Sequence, residues 1–384
     1  MNDCLAEMSD WVVNSFQDTV ITGIAWDSRQ VKPGDAFFAL LGENFDGDKF
    51  IPTAVERGAA AIVGTRPSEM SLVPYVQIQG DDRIALAKFS SAFYDHPSRS
   101  LIVIGITGTD GKTTTTNLVY HILQTAGLQV GMISSVNAMI GDKALNTGFH
   151  VTTPAAPDIQ RYMAEMRAPG LTHVVLETTS HGLVQKRVAE VDYDMAAVTN
   201  VTHEHLDYHR TYQDYLEAKG LLFEGLSTQG TEDKEFVKLA VLNKDDESYD
   251  YLQKSTQARM VSYSLSRDAD LFADEIGCTP KGLSFTVHGL GNEFSIRSPL
   301  IGKYNVHNSL AAIGLTVAGL QIPVPIVQQA FETIQTIPGR MEQIDLGQDF
   351  LAIVDFAHTP NAIRQALLTA RGLTEGQLIA VFGS

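Results

Sequence analysis

Seven consecutive residues, Gly108-Thr109-Asp110-Gly111-Lys112-Thr113-Thr114, have the types and order needed to grip a phosphate. They lie between the apolar, β-branched run LIVIGIT and the stretch TTTTNLVYHILQTAG, which reads as a helix. In that setting the backbone N–H groups of a glycine-permitted turn converge on an anion, and the helix N-terminus adds partial positive charge. Lys112 then reaches the β- and γ-phosphates, and a threonine hydroxyl can ligate Mg²⁺. The strict pattern G-x-x-x-x-G-K-[ST] is not met, because Ile106 stands where its first glycine belongs, so the loop is a shorter G-x-x-G-K-T variant. The alternative reading is a glycine-rich turn ending in a solvated lysine.

Other chemistry-bearing residues follow. Glu177 closes the apolar run HVVLE, at the carboxyl end of a strand, where a hard oxygen ligand could hold Mg²⁺ against a nucleotide. A solvated strand-end glutamate is the plainer alternative. The segment THEHLDYH places His203, His205, Asp207 and His209 within one short stretch suited to metal binding or proton exchange. It is not H-E-x-x-H, since its glutamate falls between His203 and His205, and a helix start with surface histidines is the alternative. Lys219, in YLEAKGLLF, reads on its own as a solvated helix lysine. Arg340 after Pro-Gly, and Asp355 and His358 in VDFAHTP, suit phosphate and ribose contacts without requiring them.

The elements that must position these groups alternate in type. Strand candidates at 130–134, 173–178 and 195–201 continue the run at 101–107 with helices between, which predicts a doubly wound, mostly parallel sheet. Residues 1–98 read as a small α/β domain, with a turn at Lys32-Pro33-Gly34-Asp35 and a helix closed by Gly58 before a strand at 60–63. Asp95-His96-Pro97-Ser98-Arg99 reads as a linker, TEDKE at 231–235 as a solvated helix start, and 257–300 as a β-rich patch. A buried helix is expected around 308–318. Past Pro338 the pattern restarts as hairpin, strand, loop and helix, and LIAVFGS reads as a final strand. The fold class is therefore α/β, with expected domains at 1–98, 99–335 and 336–384, the last incomplete.

The 384 residues carry 28 Lys+Arg against 45 Asp+Glu, a net charge of −17 (28 − 45), which excludes a protein that grips nucleic acid or anionic lipid by bulk charge. Cys4 and Cys278 are too few for a disulfide framework or a cysteine-based zinc site. No basic and apolar leader precedes the first domain, and no run is apolar enough to span a bilayer, so a cytoplasmic location is expected.

Taken in order, GITGTDGKTTT, VTTP at 151–154, ETTSHGLVQKR, TNVTHEHLDYH, YLEAKGLLF, GKYNVHNSLAA, PGRME and VDFAHTP resemble the Mur ligase family, as do DSR and GDAFFALLGENFDG in the first domain. The resemblance implies an ATP-dependent ligase. It would add the third amino acid, meso-diaminopimelate or lysine, to UDP-N-acetylmuramoyl-L-alanyl-D-glutamate through an acyl phosphate during peptidoglycan precursor synthesis. It also implies ATP on Gly108, Thr109, Asp110, Gly111, Lys112, Thr113 and Thr114, with Asn305, Arg340 and Asp355 as further nucleotide contacts. Magnesium would rest on Thr113, Glu177, His205 and a carbamylated Lys219, so that Lys112, Lys219 and His205 carry the chemistry. Ser28, Thr152, Thr153, Thr179, Gln185 and Arg187 would hold the UDP-sugar-peptide. The implied partners are that compound and a diamino acid, with no nucleic acid, membrane or obligate protein partner.

Two departures from the family pattern look tolerable: Asp110 stands where Asn is common, and THEHLD replaces a DHLD-type run. A third is larger. The basic Gly-rich segment and the D-N-P-R type motif expected after VFGS are not in the sequence, so the chain is expected to lack more than half of its third domain. The alternatives are another Mur or folylpolyglutamate-type ligase, or a non-catalytic protein that binds ATP and the UDP compound.

Overall fold

The computed structural model describes the chain apart from residues 15, 43–45, 68–71, 142, 146–152, 205, 229–233, 235–236 and 384, and of residues 206, 207, 227, 228 and 361 it describes the backbone only. The chain divides into two compact units. The first comprises Met1–Ser100, Pro154–Ala168 and His181–Val191, and the second Leu101–Thr153, Pro169–Ser180 and Asp192–Ser384.

In the first unit, strands β1 (Gly23–Ala25), β2 (Asp35–Ala39), β3 (Ala61–Gly64) and β4 (Tyr75–Gln77) form a parallel sheet in sequential order. Every residue of β2 is buried, as a strand covered on both faces requires. Phe38 packs edge-on against Phe89 of the helix Asp82–Phe93, with ring centroids 5.1 Å apart. Asp81 caps that helix by accepting from the N–H groups of Arg83 and Ile84. The expected turn is present: Gly34 sits at φ +94°, and the Asp35 N–H donates to the Lys32 carbonyl.

The second unit is built on eleven strands: β5 (Ile102–Thr107), β6 (Val130–Ile133), β7 (Ala138–Ile140), β8 (Lys143–Leu145), β9 (His173–Glu177), β10 (Met195–Val198), β11 (Leu239–Asn243), β12 (Arg259–Ser264), β13 (Leu271–Thr279), β14 (Gly282–Gly289) and β15 (Asn292–Ser298). Their order is β15-β14-β13-β12-β11-β10-β5-β9-β6-β7-β8. The stretch from β13 through β6 is parallel, while β14, β15, β7 and β8 add antiparallel edges. Ile104, Val119, Val175, Met195, Val241 and Leu310 join one continuous core. After β5 the chain builds β6 and β9 to one side and then β10 and β11 to the other. The carboxyl ends of β5, β9 and β10 therefore meet where the order reverses, the place at which open α/β sheets form a ligand crevice.

His173 begins β9 and is 7% exposed. Burial, opposed by the field of Asp194, holds its pKa below the usual value of 6.5. The unfolded chain takes up the proton first, so stability is full above pH 6.5 and falls as pH drops toward the folded pKa. A His173→Gln variant should lose less stability than the parent between pH 6.5 and 5, read from urea midpoints at each pH; parallel curves would contradict this.

Three expectations need correction. The helix expected around 308–318 begins earlier, at Tyr304, and its last six residues, Gly314–Gly319, form a wider π-type turn. There Gly314 and Gly319 ride so close to the sheet that a Cβ would come within 2.8 Å of Val241 and 2.4 Å of Met195. Residues 378–383 are not a strand, because β16 (Glu342–Ile344) and β17 (Ala352–Val354) pair only with each other and offer no described partner. Lys219 is not solvated: it lies inside the helix Tyr212–Thr228 and is 1% exposed. The charged segment 231–235 falls, apart from Lys234, outside the described residues.

Candidate nucleotide site

The loop between β5 and the helix Lys112–Thr125 takes backbone shapes that its glycines permit. Gly108 has φ +144° and Gly111 φ +85°, and a Cβ on either would lie 1.9 Å from Thr199 Oγ1 or 2.2 Å from Asn308 Oδ1 respectively. The loop is moored to the end of β10. Thr109 N–H donates to the Asn200 carbonyl (2.7 Å), Asp110 N–H to Asn200 Oδ1 (3.0 Å), and Thr199 Oγ1 donates to the Asp110 carbonyl (2.6 Å). Lys112 Nζ folds back to donate to the Thr109 carbonyl at 2.6 Å, which holds the ammonium inside the loop.

Thr113, on the first turn, donates from Oγ1 to Glu177 Oε1 at 3.1 Å. The other carboxylate oxygen accepts from Ser135 N–H (3.0 Å) and Ser135 Oγ (3.2 Å). Arg340 Nη2 donates to the same Thr113 Oγ1 at 2.9 Å, its guanidinium 5.1 Å from the Phe356 ring centroid. Asp355 is fixed by N–H donors of Met341 (2.7 Å) and Ala357 (2.9 Å). Asn305 Nδ2 donates to the Ile301 carbonyl and its Oδ1 accepts from Asn308 Nδ2 (2.8 Å). Lys112, Thr113, Glu177, Arg340, Asp355 and Asn305, with Asp245, His307, Glu204 and Tyr304, line one cavity of about 890 Å³, a size suited to a nucleotide.

Lys219 sits beneath the loop. Its Nζ donates to the Gly108 carbonyl at 2.6 Å and lies 4.3 Å from the centroid of the Tyr215 ring. Burial, reinforced by the charge of Lys112, holds its pKa well below 10.5, against the opposing fields of Glu204 and Asp110. Burial likewise raises the Glu204 carboxyl, against the pull of Lys112.

Whether a divalent ion fits can be judged from Glu177. It is 1% exposed, and the donors to its carboxylate among the described residues are Thr113 Oγ1, Ser135 N–H and Ser135 Oγ. A buried carboxylate held only by neutral donors calls for a cation, and Thr113 and Glu177 supply the hard oxygens that Mg²⁺ takes. Among the described residues no three His, Cys, Asp or Glu side chains gather as a metal cage.

Of the residues singled out in sequence, the second unit brings together Gly108 through Thr114, Glu177, Asn305, Arg340 and Asp355 around or beside the cavity, with Lys219 below the loop. Thr153 Oγ1 donates to the Glu177 carbonyl, accepts from Thr179 N–H and lies 2.9 Å from Thr179 Oγ1, tying both threonines to the end of β9. Ser28, Gln185 and Arg187 belong to the first unit. There Ser28 is buried, and Arg187 donates to Gln185 Oε1 at 2.5 Å. Thr152 and His205 lie outside the described residues. In the rest of THEHLDYH, His203 is exposed and stacks on Tyr212, whereas His209 is buried, with Nε2 3.0 Å from Ser180 Oγ. Sequence reading missed Ser135, Thr199, Asn200 and Asn308. The first three follow strand ends, a position that could have drawn notice; Tyr215 carried no such signal.

Family models match in three consecutive stretches: residues 20–98 the Mur ligase family catalytic domain, 106–316 the Mur ligase middle domain, and 339–384 the Mur ligase glutamate ligase domain. A Bacillus licheniformis protein, UDP-N-acetylmuramoyl-L-alanyl-D-glutamate-2,6-diaminopimelate ligase, is 40% identical over 367 residues, covering 96% of this chain and 74% of its own. The chain belongs to the Mur ligase family. A Roseiflexus UDP-N-acetylmuramyl-tripeptide synthetase is also 40% identical, over 95% of this chain and 73% of its own length. Among solved structures, a UDP-N-acetylmuramoyl-L-alanyl-D-glutamate-2,6-diaminopimelate ligase superposes with a TM-score of 0.76 at 28% identity, covering 94% of this chain and 72% of that one. The Mur ligase fold is shared by a MurF ligase from Thermotoga maritima in complex with ADP, with a TM-score of 0.66 at 20% identity over 92% and 76% of the two chains. Mur ligases are ATP-dependent enzymes that form amide bonds, and this chain is one of them. No helix among its described residues is long and apolar enough to cross a membrane.

Proposed function

We propose that this Mur ligase joins the third amino acid, meso-diaminopimelate or lysine, to UDP-N-acetylmuramoyl-L-alanyl-D-glutamate in the cytoplasm. The name of the Bacillus relative favours diaminopimelate. The observation that carries the reading is the meeting of Lys112, Thr113 and the buried Glu177 at one switch-point cavity. The division at 1–98, 99–335 and 336–384 into UDP-substrate, ATPase and ligase domains belongs to the same proposal.

In the first step the free carboxylate of the glutamyl residue attacks the γ-phosphorus of ATP, giving an acyl phosphate and ADP. The amine of the incoming amino acid then attacks the acyl carbon and phosphate departs. Two anions must meet in the first step, so positioning and charge neutralisation carry most of the catalysis. Lys112 leaves the Thr109 carbonyl for the phosphates, and the loop N–H groups of Gly108 to Thr114 cradle them. Arg340, Asn305 and Asp355 hold the remainder of the nucleotide. Magnesium, held by Thr113, Glu177 and His205, would neutralise the phosphate oxygens. Lys219 suits carbamylation, because burial disfavours its ammonium form and the free amine is the form that adds CO₂, and the product would give the metal site a further carboxylate-like oxygen. Ser28, Thr152, Thr153, Thr179, Gln185 and Arg187 would hold the UDP-sugar-peptide.

Titration calorimetry tests the reading: Mg-ATP and UDP-N-acetylmuramoyl-L-alanyl-D-glutamate should each bind with one site. Failure to bind the UDP compound, with folate binding instead, would overturn it in favour of a folylpolyglutamate-type ligase.

A further inference from the structure

One buried side chain touches both the phosphate loop and the lysine beneath it, and the reaction just described gives it no task. Tyr215 and Lys219 are four residues apart on the helix Tyr212–Thr228, so they share a face, and the lysine leans back toward the helix N-terminus over the ring. Tyr215 is 1% exposed. Its hydroxyl lies 3.1 Å from Thr109 Oγ1, which also accepts the Thr202 N–H at 2.9 Å. Its ring faces Lys219 Nζ at 4.3 Å, while that Nζ donates to the Gly108 carbonyl. Buried His209 braces the ring, with centroids 5.1 Å apart. Two successive loop residues, Gly108 and Thr109, thus hang from one turn of this helix.

We propose that Tyr215 is a positioning residue that couples the shape of the phosphate loop to the placement of Lys219. The hydroxyl tethers Thr109; the ring is a shelf that keeps Nζ aimed at Gly108 whether or not the amine is charged, since an N–H can rest on an aromatic face in either state. The proposal rests on the reading in which the loop holds ATP and Lys219 becomes a carbamate. It separates the two halves of the tyrosine. Tyr215→Phe cuts the tether and keeps the shelf, whereas Tyr215→Leu removes both.

The test uses the full chain and two readouts besides activity: calorimetry with Mg-ADP, and ¹³C NMR of the lysine carbamate in ¹³C-bicarbonate. Tyr215→Phe should weaken ADP binding about 3- to 10-fold, the range of one neutral hydrogen bond, and keep the carbamate resonance. Tyr215→Leu should weaken ADP at least as much and lower carbamate occupancy about 5-fold or more at the same bicarbonate concentration. A folded Tyr215→Leu protein with parental values for both would overturn the proposal, as would loss of the resonance in Tyr215→Phe. Should Tyr215→Leu fail to fold, a double-mutant cycle of Tyr215→Phe with Thr109→Val decides: because Thr109→Val also loses the Thr202 bond, the double variant should bind ADP no worse than Thr109→Val alone, and additive losses would overturn the coupling. A parental protein with no bicarbonate-dependent resonance refutes the carbamate reading instead, and the cycle still judges the tether.

Discussion

Replacing Lys112 with Ala is expected to weaken Mg-ATP binding about 10- to 100-fold, the range that follows from losing one charged hydrogen-bonding group at about 1.5–3 kcal/mol. Loss of phosphate release should be larger than loss of affinity, because the charge that develops during transfer is what Lys112 is placed to meet. The loop itself should survive the change. Its backbone bonds to Asn200 and Thr199 do not involve the lysine, and the one bond Nζ makes is to the Thr109 carbonyl. The melting temperature without nucleotide should therefore stay within a degree or two of the parent, while the upward shift on adding Mg-ATP disappears. Calorimetry together with thermal melts checks both halves, and an unchanged ATP affinity would contradict the assignment of the loop.

Lys219→Ala is expected to remove turnover by about 100- to 1,000-fold, the scale of losing one preorganised electrostatic element. The substitution empties a space beside Gly108 and Tyr215 but leaves no buried anion behind, since Nζ contacts a carbonyl and a ring. Small carboxylic acids such as acetate or propionate should restore part of the lost rate by supplying from solution the oxygen that a carbamate would bear. The restored rate should rise with acid concentration and saturate. Activity in the variant equal to the parent would refute a role for this lysine; a dead variant with no rescue at any acid concentration would leave a structural lysine as the better description. Burial, with the charge of Lys112 nearby, holds the Lys219 pKa well below its ordinary value.

Much of this arrangement was legible in sequence. LIVIGIT is apolar on both faces, GTDGKTT carries two glycines before a helix, and HVVLE ends on a carboxylate, so a buried strand, a glycine turn and a strand-end acid follow from residue type alone. Lys219 was misread because periodicity reports which residues share a helix face, whereas burial depends on what the fold sets against that face. The wide turn at 314–319 had no signal either: two glycines five residues apart read as a helix ending, and only contact with Val241 and Met195 explains them. Ser135 and Asn200 stand just past strand ends, a local cue, whereas Asn308 looks ordinary in sequence and its importance comes from the distant Gly111. LIAVFGS failed as a strand for a related reason, since β propensity without a partner strand gives no ladder.

The moorings of the loop bear on the order in which the molecule is made. Asp110 is tied to Asn200 across 90 positions and Gly108 to Lys219 across 111, so the anion cradle is a product of distant chain meeting distant chain. Closing such separations is entropically slow, and contacts of this span form late compared with a local helix. A polypeptide still emerging from the ribosome would hold the glycine turn and its helix long before it could retain a nucleotide. The cradle itself waits for the stretch near position 220 to be synthesised and folded back, and the cavity wall at Asn305, Arg340 and Asp355 comes later still.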